Sequence, residues 1–147
     1  MKFISVIMLL ILVSCTSGNP PSKKAINEFV RMNEIWQKRP SKEKVVKYFG
    51  LHFKEIEEGI SYNYDNTGFT KMAFFFNKNE KLTDQFAIVG QKELSDFKDG
   101  VHCNWIEKKT QIREAHAVKT VESGECPEQH VNYFFRQDLG LYELRWY

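Results

Sequence analysis

Several motifs of common enzymes and nucleotide-binding proteins are missing from this 147-residue chain. There is no Gly-x-Ser-x-Gly nucleophile motif, and the eight glycines stand singly, so no glycine-rich phosphate loop is present. Charge is nearly balanced, with 21 Lys and Arg against 19 Asp and Glu, whereas nucleic-acid binding needs clustered positive charge. These absences argue against nucleotide binding, against a nucleic-acid partner and against a serine hydrolase of the nucleophile-elbow type.

Hydrophobic runs are also scarce, and the one long run lies at the amino terminus. It covers residues 3 to 13, follows Lys2 and is interrupted only by Ser5. This layout is typical of an export signal. The run is about half of the ~20 residues that a membrane-spanning helix needs, so a permanent transmembrane anchor is the weaker interpretation.

The run ends in the sequence Leu12-Val13-Ser14-Cys15, which resembles the lipobox of bacterial lipoproteins. The resemblance implies that Cys15 receives a diacylglycerol, becomes the first mature residue and is then acylated on its amine. Two or three acyl chains, such as palmitate, give a stable membrane anchor. Thr16 stands where an aspartate would signal retention at the inner membrane, so an outer-membrane location facing the periplasm is favoured. The alternatives are a secreted protein cleaved nearby and a chance cysteine in the tail.

These signals divide the chain into three parts. Residues 1–14 are predicted to be a lipoprotein signal peptide, 15–22 a lipidated tether containing Pro20 and Pro21, and 23–147 a single domain.

The chain has three cysteines, and acylation of Cys15 leaves Cys103 and Cys126. An oxidising periplasm favours a disulfide between these two. A metal site is the rival interpretation, but the two cysteines lack the spacing and the paired histidine that a zinc site uses. Neither a metal nor another cofactor is expected.

Residue periodicity predicts an α+β domain. Apolar residues at helical spacing predict a first helix from Ser22 to Pro40, and Ser41 and Gly50 bound a second, so the chain begins with a helical hairpin. Period-two alternation and turn residues then predict three strands, over 56 to 64, over 69 to 77 and from 82. A short helix is predicted over 91 to 98. Four further strands are predicted over 103 to 108, 110 to 122, 131 to 136 and 141 to 146. In the strand from 82, Leu82, Phe86 and Ile88 are predicted to share a face. Ser123 with Gly124 is predicted to turn the chain, and residues 137 to 140 to form a hairpin loop. The predicted fold is a helical hairpin packed on an antiparallel sheet.

No catalytic set emerges from the reactive residues. The spacing of the four histidines is uninformative, and His116 with Glu114 on one predicted strand face is more simply a solvent-exposed polar pair. No catalytic residue is therefore assigned, and the sequence favours a protein that is not an enzyme.

The chain is instead rich in aromatic residues, some of which are predicted to form a surface for a protein partner. The residues proposed for that surface are Tyr62, Tyr64, Phe75, Trp105, Tyr142 and Trp146. The alternative is that helices and curved strands bury nearly all of them.

Residues 41 to 81 resemble the BamE-like (SmpA/OmlA) outer-membrane lipoproteins and the related β-lactamase-inhibitor-protein-like fold. The similar segments read SKEKVVKYFG (41–50), ISYNY (60–64) and FFFNKNEKL (74–82). Glu80 stands where those families often have a glycine. The resemblance implies two packed helices before a three-stranded meander, and a non-enzymatic accessory or inhibitor that binds other proteins.

The order of the predicted elements is also similar to that of cone-shaped NTF2-like domains, which often enclose a small ligand. This alternative implies a ligand-binding lipoprotein or a cryptic enzyme. Its pocket would be lined by residues such as Trp36, Phe74 and Trp146.

Overall fold

The computed structural model describes residues 21–64 and 70–147, with only the backbone of 21–26. It confirms the predicted α+β class: in this part of the chain, three α-helices accompany one open, eight-stranded antiparallel sheet. The helices are α1 (Pro21–Lys38), α2 (Lys42–Phe49) and α3 (Gln91–Gly100). The strands are β1 (Lys54–Ile56), β2 (Gly59–Asn63), β3 (Lys71–Phe76), β4 (Leu82–Val89), β5 (Ile106–Glu114), β6 (Ala117–Cys126), β7 (Val131–Arg136) and β8 (Leu141–Trp146).

Local capping signals fix the second helix where the sequence places it. The Ser41 hydroxyl accepts a hydrogen bond from the Lys44 amide at 3.5 Å, satisfying one free donor of the first turn. At the other end, the Gly50 amide donates to the Val46 carbonyl at 2.8 Å, and Gly50 adopts φ +100°, a conformation that side chains rarely allow. None of the helices in the described segments is both long enough and apolar enough to cross a bilayer.

The sheet order is β1-β2-β3-β4-β8-β7-β6-β5, so the last strand lies near the middle. Strand β8 pairs with β4 through Phe86 opposite Arg145, and with β7 through Tyr133 opposite Leu144. The β7–β8 hairpin loop occurs as predicted, with Gly140 at φ +66°. Strands β1 and β5 form the two edges of the sheet.

The predicted strand over residues 56 to 64 is broken in the structure. A tight turn at Glu57 and Glu58 separates β1 from β2, so that Ile56 pairs with Gly59. Glu58 takes φ +57° to make this turn. Gly59 then passes close to the Phe74 carbonyl, where a side chain would not fit. Alternation continues through both strands, which is why the break left no mark in the apolar pattern.

The strands after α3 also differ from the prediction. Strand β5 does not end near Lys109 but runs to Glu114, and the hairpin turns at Ala115 and His116. Ser123 and Gly124 lie inside β6 and do not turn the chain. Gly124 is needed there because the Tyr133 ring occupies the space where a Cβ atom would stand. This glycine serves packing between strands instead of marking a turn.

The face predicted for β4 is wrong for Leu82, which does not lie on the same side as Phe86 and Ile88. A register shift between Phe75 and Phe76 displaces the start of the strand relative to β3. As a result Gln85, Ala87 and Val89 are fully buried beneath the helices, together with Leu82. By strand alternation Phe86 and Ile88 lie on the opposite face of the sheet.

Polar bonds fasten α1 to the sheet across the core. The Trp146 indole donates to Asn33 Oδ1 at 2.9 Å, and Asn33 Nδ2 donates to Gln129 Oε1 at 2.7 Å. The Gln85 amide donates to the Met32 carbonyl at 2.9 Å. These bonds fix the angle at which α1 crosses the sheet, because buried polar groups require their partners.

Candidate protein-binding surface

The aromatic residues predicted to form a partner surface do not share one exposed face. Tyr62, Tyr142 and Trp146 are only 3%, 4% and 1% exposed and belong to the core, so their assignment to the surface is wrong. They lie on the sheet face that α1 and α3 cover; Trp146, for example, contacts the Phe97 ring of α3 edge-on. Strand alternation predicted their shared side but gave no information about which side is covered.

The other three predicted aromatic residues are half-buried. Tyr64 and Trp105 pack against the core. Phe75 lies on the opposite face, where its ring stacks on Phe86 with the centroids 5.9 Å apart. The Arg145 guanidinium covers the Phe86 ring at 5.8 Å. Of the six, only Phe75 stands on the sheet face away from the helices, and it is already partly covered.

The two remaining predicted sites concern the cysteines. Cys15 lies outside the described residues. Cys103 and Cys126 are brought together at bonding distance, with their Cα atoms 5.9 Å apart, across 23 positions of sequence. Glu128 Oε2 lies 2.9 Å from Cys103 Sγ. These three residues are also the one group among the described residues whose ligand atoms lie close enough for a metal. A disulfide would leave only the carboxylate for coordination, so we assign no metal.

The histidines do not form a site with one another. All four side chains are exposed. His116 lies in the β5–β6 turn and not on the strand face with Glu114. His130 contacts the Tyr147 ring edge-on at 5.8 Å and adopts φ +52° in a turn. The arrangement offers neither a histidine pair for a metal nor a positioned histidine base.

One hydrogen-bonded cluster of titratable side chains joins α3 to β5 and β7. Glu107 accepts hydrogen bonds from Lys98 and, at 2.7 Å, from the Tyr133 hydroxyl. The bond from Lys98 lowers the pKa of Glu107, whereas burial, and then the bond to Glu107, raises the pKa of Tyr133. At neutral pH the tyrosine keeps its proton and the glutamate is a paired carboxylate. This cluster therefore ties elements together and supplies no free nucleophile or base.

Two further tyrosines, Tyr62 and Tyr64, lie near Glu28 on α1. Burial raises the pKa of Tyr62 to about 12, and the charge of Glu28 acts in the same direction. Burial and Glu28 also raise the pKa of Tyr64. The Tyr62 hydroxyl donates to the Gly50 carbonyl at 2.9 Å, which joins β2 to the end of α2. Both phenols are protonated at neutral pH and are unsuited to base catalysis.

The residues proposed to line a ligand pocket are core residues. Trp36, Phe74 and Trp146 are 5%, 0% and 1% exposed. The Trp36 indole donates to the Tyr147 carbonyl at 3.1 Å, and its ring lies 3.5 Å below the Arg39 guanidinium. Phe74 contacts the ring of Phe49 at 5.1 Å. These side chains are engaged in packing with their neighbours.

An open apolar groove lies between α1 and α2, with a volume of about 180 Å³. We call it the helical groove and define it by its lining residues, Glu34, Ile35, Lys38, Pro40, Lys44, Val45 and Tyr48. Its apolar residues come from both helices and from the proline between them. Tyr48 is 47% exposed and Leu51, just beyond α2, is 80% exposed. Of these two residues Tyr48 lines the groove, and an exposed tyrosine beside an apolar floor is a frequent contact point in protein interfaces.

Cations surround the helical groove. Lys38 and Lys44 line it, and the Arg31 guanidinium lies 5.3 Å from the centroid of the Tyr48 ring. Glu34 is the one carboxylate in the lining. The groove therefore combines an apolar floor with a mainly positive rim, which complements an apolar side chain flanked by acidic residues.

Sequence reasoning missed the helical groove. The signal available was the spacing of Lys44, Val45 and Tyr48, which places these residues on one side of α2. That spacing predicts a shared side of the helix but does not show that α1 leaves this side open. No family model, curated protein or solved structure matches this chain.

Proposed function

We propose that this chain is a lipoprotein anchored in the outer membrane and facing the periplasm, and that it is a non-enzymatic module that binds another protein. Its role would be that of an envelope accessory or an inhibitor. The observation that carries the proposal is the helical groove, with exposed Tyr48 beside an apolar floor and a cationic rim. Binding surfaces of this kind take one apolar anchor residue into a pocket and use charges around it for specificity.

The chemistry of the groove defines the segment it would hold. A volume of about 180 Å³ suits one large side chain, such as leucine or phenylalanine, and not a whole cofactor. Carboxylates on either side of that anchor would meet Lys38 and Lys44. The expected partner therefore presents an acidic segment with an apolar residue at its centre.

Photo-crosslinking in cells would test this proposal directly. The photoreactive residue p-benzoylphenylalanine replaces Tyr48 in one version of the full-length protein and Leu139 in another. Leu139 is a matched control, because it is also 47% exposed but lies in the β7–β8 loop. We expect a discrete crosslinked product from position 48 that is absent from position 139.

A charge reversal separates a specific partner from chance collisions. Lys44→Glu should reduce the product at position 48 by about tenfold, because it places like charges opposite an acidic segment. Lys78→Glu, at an exposed site in the β3–β4 turn, should leave it unchanged. Equal products from positions 48 and 139, or a product that ignores Lys44→Glu, would refute protein binding at the groove.

The lipid anchor needs an independent test. Cells fed an alkyne-bearing fatty acid should label the natural protein, and Cys15→Ser should abolish the label, because the thioether is formed on that sulfur. The labelled protein should sediment with outer-membrane vesicles. Label that persists in Cys15→Ser, or wild-type protein in the soluble periplasmic fraction, would contradict the anchor without bearing on the groove.

A further inference from the structure

Strand β5 leaves one side of its backbone open along the edge of the sheet. It is nine residues long, and eight of those residues are exposed. Its pairing with β6 engages one side of the strand from Ile106 to Glu114. About half of the peptide groups of an edge strand point outward without a sheet partner, which makes such a strand a template for pairing. The opposite edge, β1, has only three residues.

We infer that two copies of this chain associate by antiparallel pairing of their β5 strands, with Thr110 of one copy directly opposite Thr110 of the other. A two-fold axis perpendicular to the sheet always sets one residue of the strand opposite itself. With Thr110 at that position, Glu107 of each copy faces Arg113 of the other. Residues directly opposite in such a pair have their Cβ atoms about 5 Å apart, within reach of a salt bridge.

Charges along the strand select this register over its neighbours. Centring the axis on Lys109 places two lysines directly opposite each other. Centring it on Gln111 places Lys109 opposite Arg113. Like charges in opposed positions disfavour both alternatives. The Thr110-centred register contains two Glu107–Arg113 pairs and sets no like charges opposite each other.

The two charged residues are available for the contact. The Glu107 side chain is 40% exposed. Its Oε1 atom accepts the hydrogen bonds from Lys98 and Tyr133, which leaves Oε2 free to accept a hydrogen bond from another donor. Arg113 forms no ion pair with the residues described between 27 and 64 or from 70 onward. Arg113 of the second copy would thus add to the Lys98–Glu107–Tyr133 cluster without breaking a contact inside either chain.

Cysteine crosslinking of the full-length protein in its membrane tests the register. Thr110→Cys sets two sulfurs opposite each other, and mild oxidation should produce a covalent dimer. Gln111→Cys is the matched control. The Cα atoms of residue 111 in the two copies would lie about 8 Å apart, diagonally across the strand pair, which is beyond disulfide reach. Cells producing both Lys109→Cys and Gln111→Cys chains should yield a mixed dimer, since those two residues are opposed.

A charge change tests the two proposed Glu107–Arg113 salt bridges between the strands. Adding Arg113→Glu to Thr110→Cys should reduce the dimer yield by about tenfold, because each pair then joins two carboxylates. Glu107→Lys combined with Arg113→Glu should restore the yield. No dimer from Thr110→Cys, equal yields from Gln111→Cys, or a yield unaffected by Arg113→Glu would overturn the inference. None of these outcomes depends on the helical groove.

Discussion

Removal of the Cys103–Cys126 pair should cost the protein a large part of its stability. The two residues join the segment before β5 to the end of β6, so a disulfide between them closes a loop that contains the whole β5–β6 hairpin. For the separation of 23 residues, the loss of unfolded-chain entropy contributes about 3 kcal/mol. Cys126 is fully buried, so its replacement by alanine adds about 1 kcal/mol for lost packing.

The assay is denaturant unfolding of the purified full-length protein, compared with Cys103→Ala/Cys126→Ala. We expect a loss of about 3–4 kcal/mol, which corresponds to a fall in Tm on the order of 10 °C for a domain of this size. The natural protein in dithiothreitol is the internal control and should lose most of the same free energy. Mass analysis after alkylation without reductant should find neither residue modified. Alkylation of both cysteines, or equal stability of the double variant, would refute the reasoning.

Three further predictions concern the core and the alkaline limit of stability. Asn33→Ala should destabilise the protein by about 2 kcal/mol in urea unfolding, because it leaves the buried Trp146 indole without its acceptor; an unchanged midpoint would contradict this. Gly124→Ala should cost about 1–3 kcal/mol in the same assay, because the new methyl group meets the Tyr133 ring, and a neutral effect would show that the ring moves freely. The pKa of Tyr62 rises from 10.0 to about 12 on folding, so its contribution to stability is fully present below pH 10 and is lost between pH 10 and 12. Circular dichroism and tyrosinate absorbance should follow that loss together, and Tyr62→Phe should reduce its pH dependence.

Sequence reasoning succeeded where structure is determined by neighbouring residues. Ser41 and Gly50 cap α2 through their own side chain and backbone, and Gly140 sits in the hairpin loop where a positive φ is needed. It failed where a distant residue decides. Gly124 reads as a turn in isolation, but it lies within a strand because the Tyr133 ring packs against it.

The same distinction applies to the surfaces. Alternation correctly places Tyr142 and Trp146 on one side of β8, yet only the packing of α1 and α3 determines that this side is buried. The helical groove depends on how far apart two helices lie, which no local pattern records. Burial of a strand face and the space between helices are tertiary properties, so the sequence predicted the elements better than the surfaces they leave open.

The position of β8 has a consequence for the time at which the domain can form. This strand joins the β1–β4 half of the sheet to the β5–β7 half, yet the ribosome makes it after the other seven strands described in that sheet. The two halves of the nascent chain therefore cannot combine into one sheet until residues 141 to 146 have emerged. Until then β4 and β7 each present an unpaired edge, and unpaired strand edges make an incomplete chain prone to aggregation.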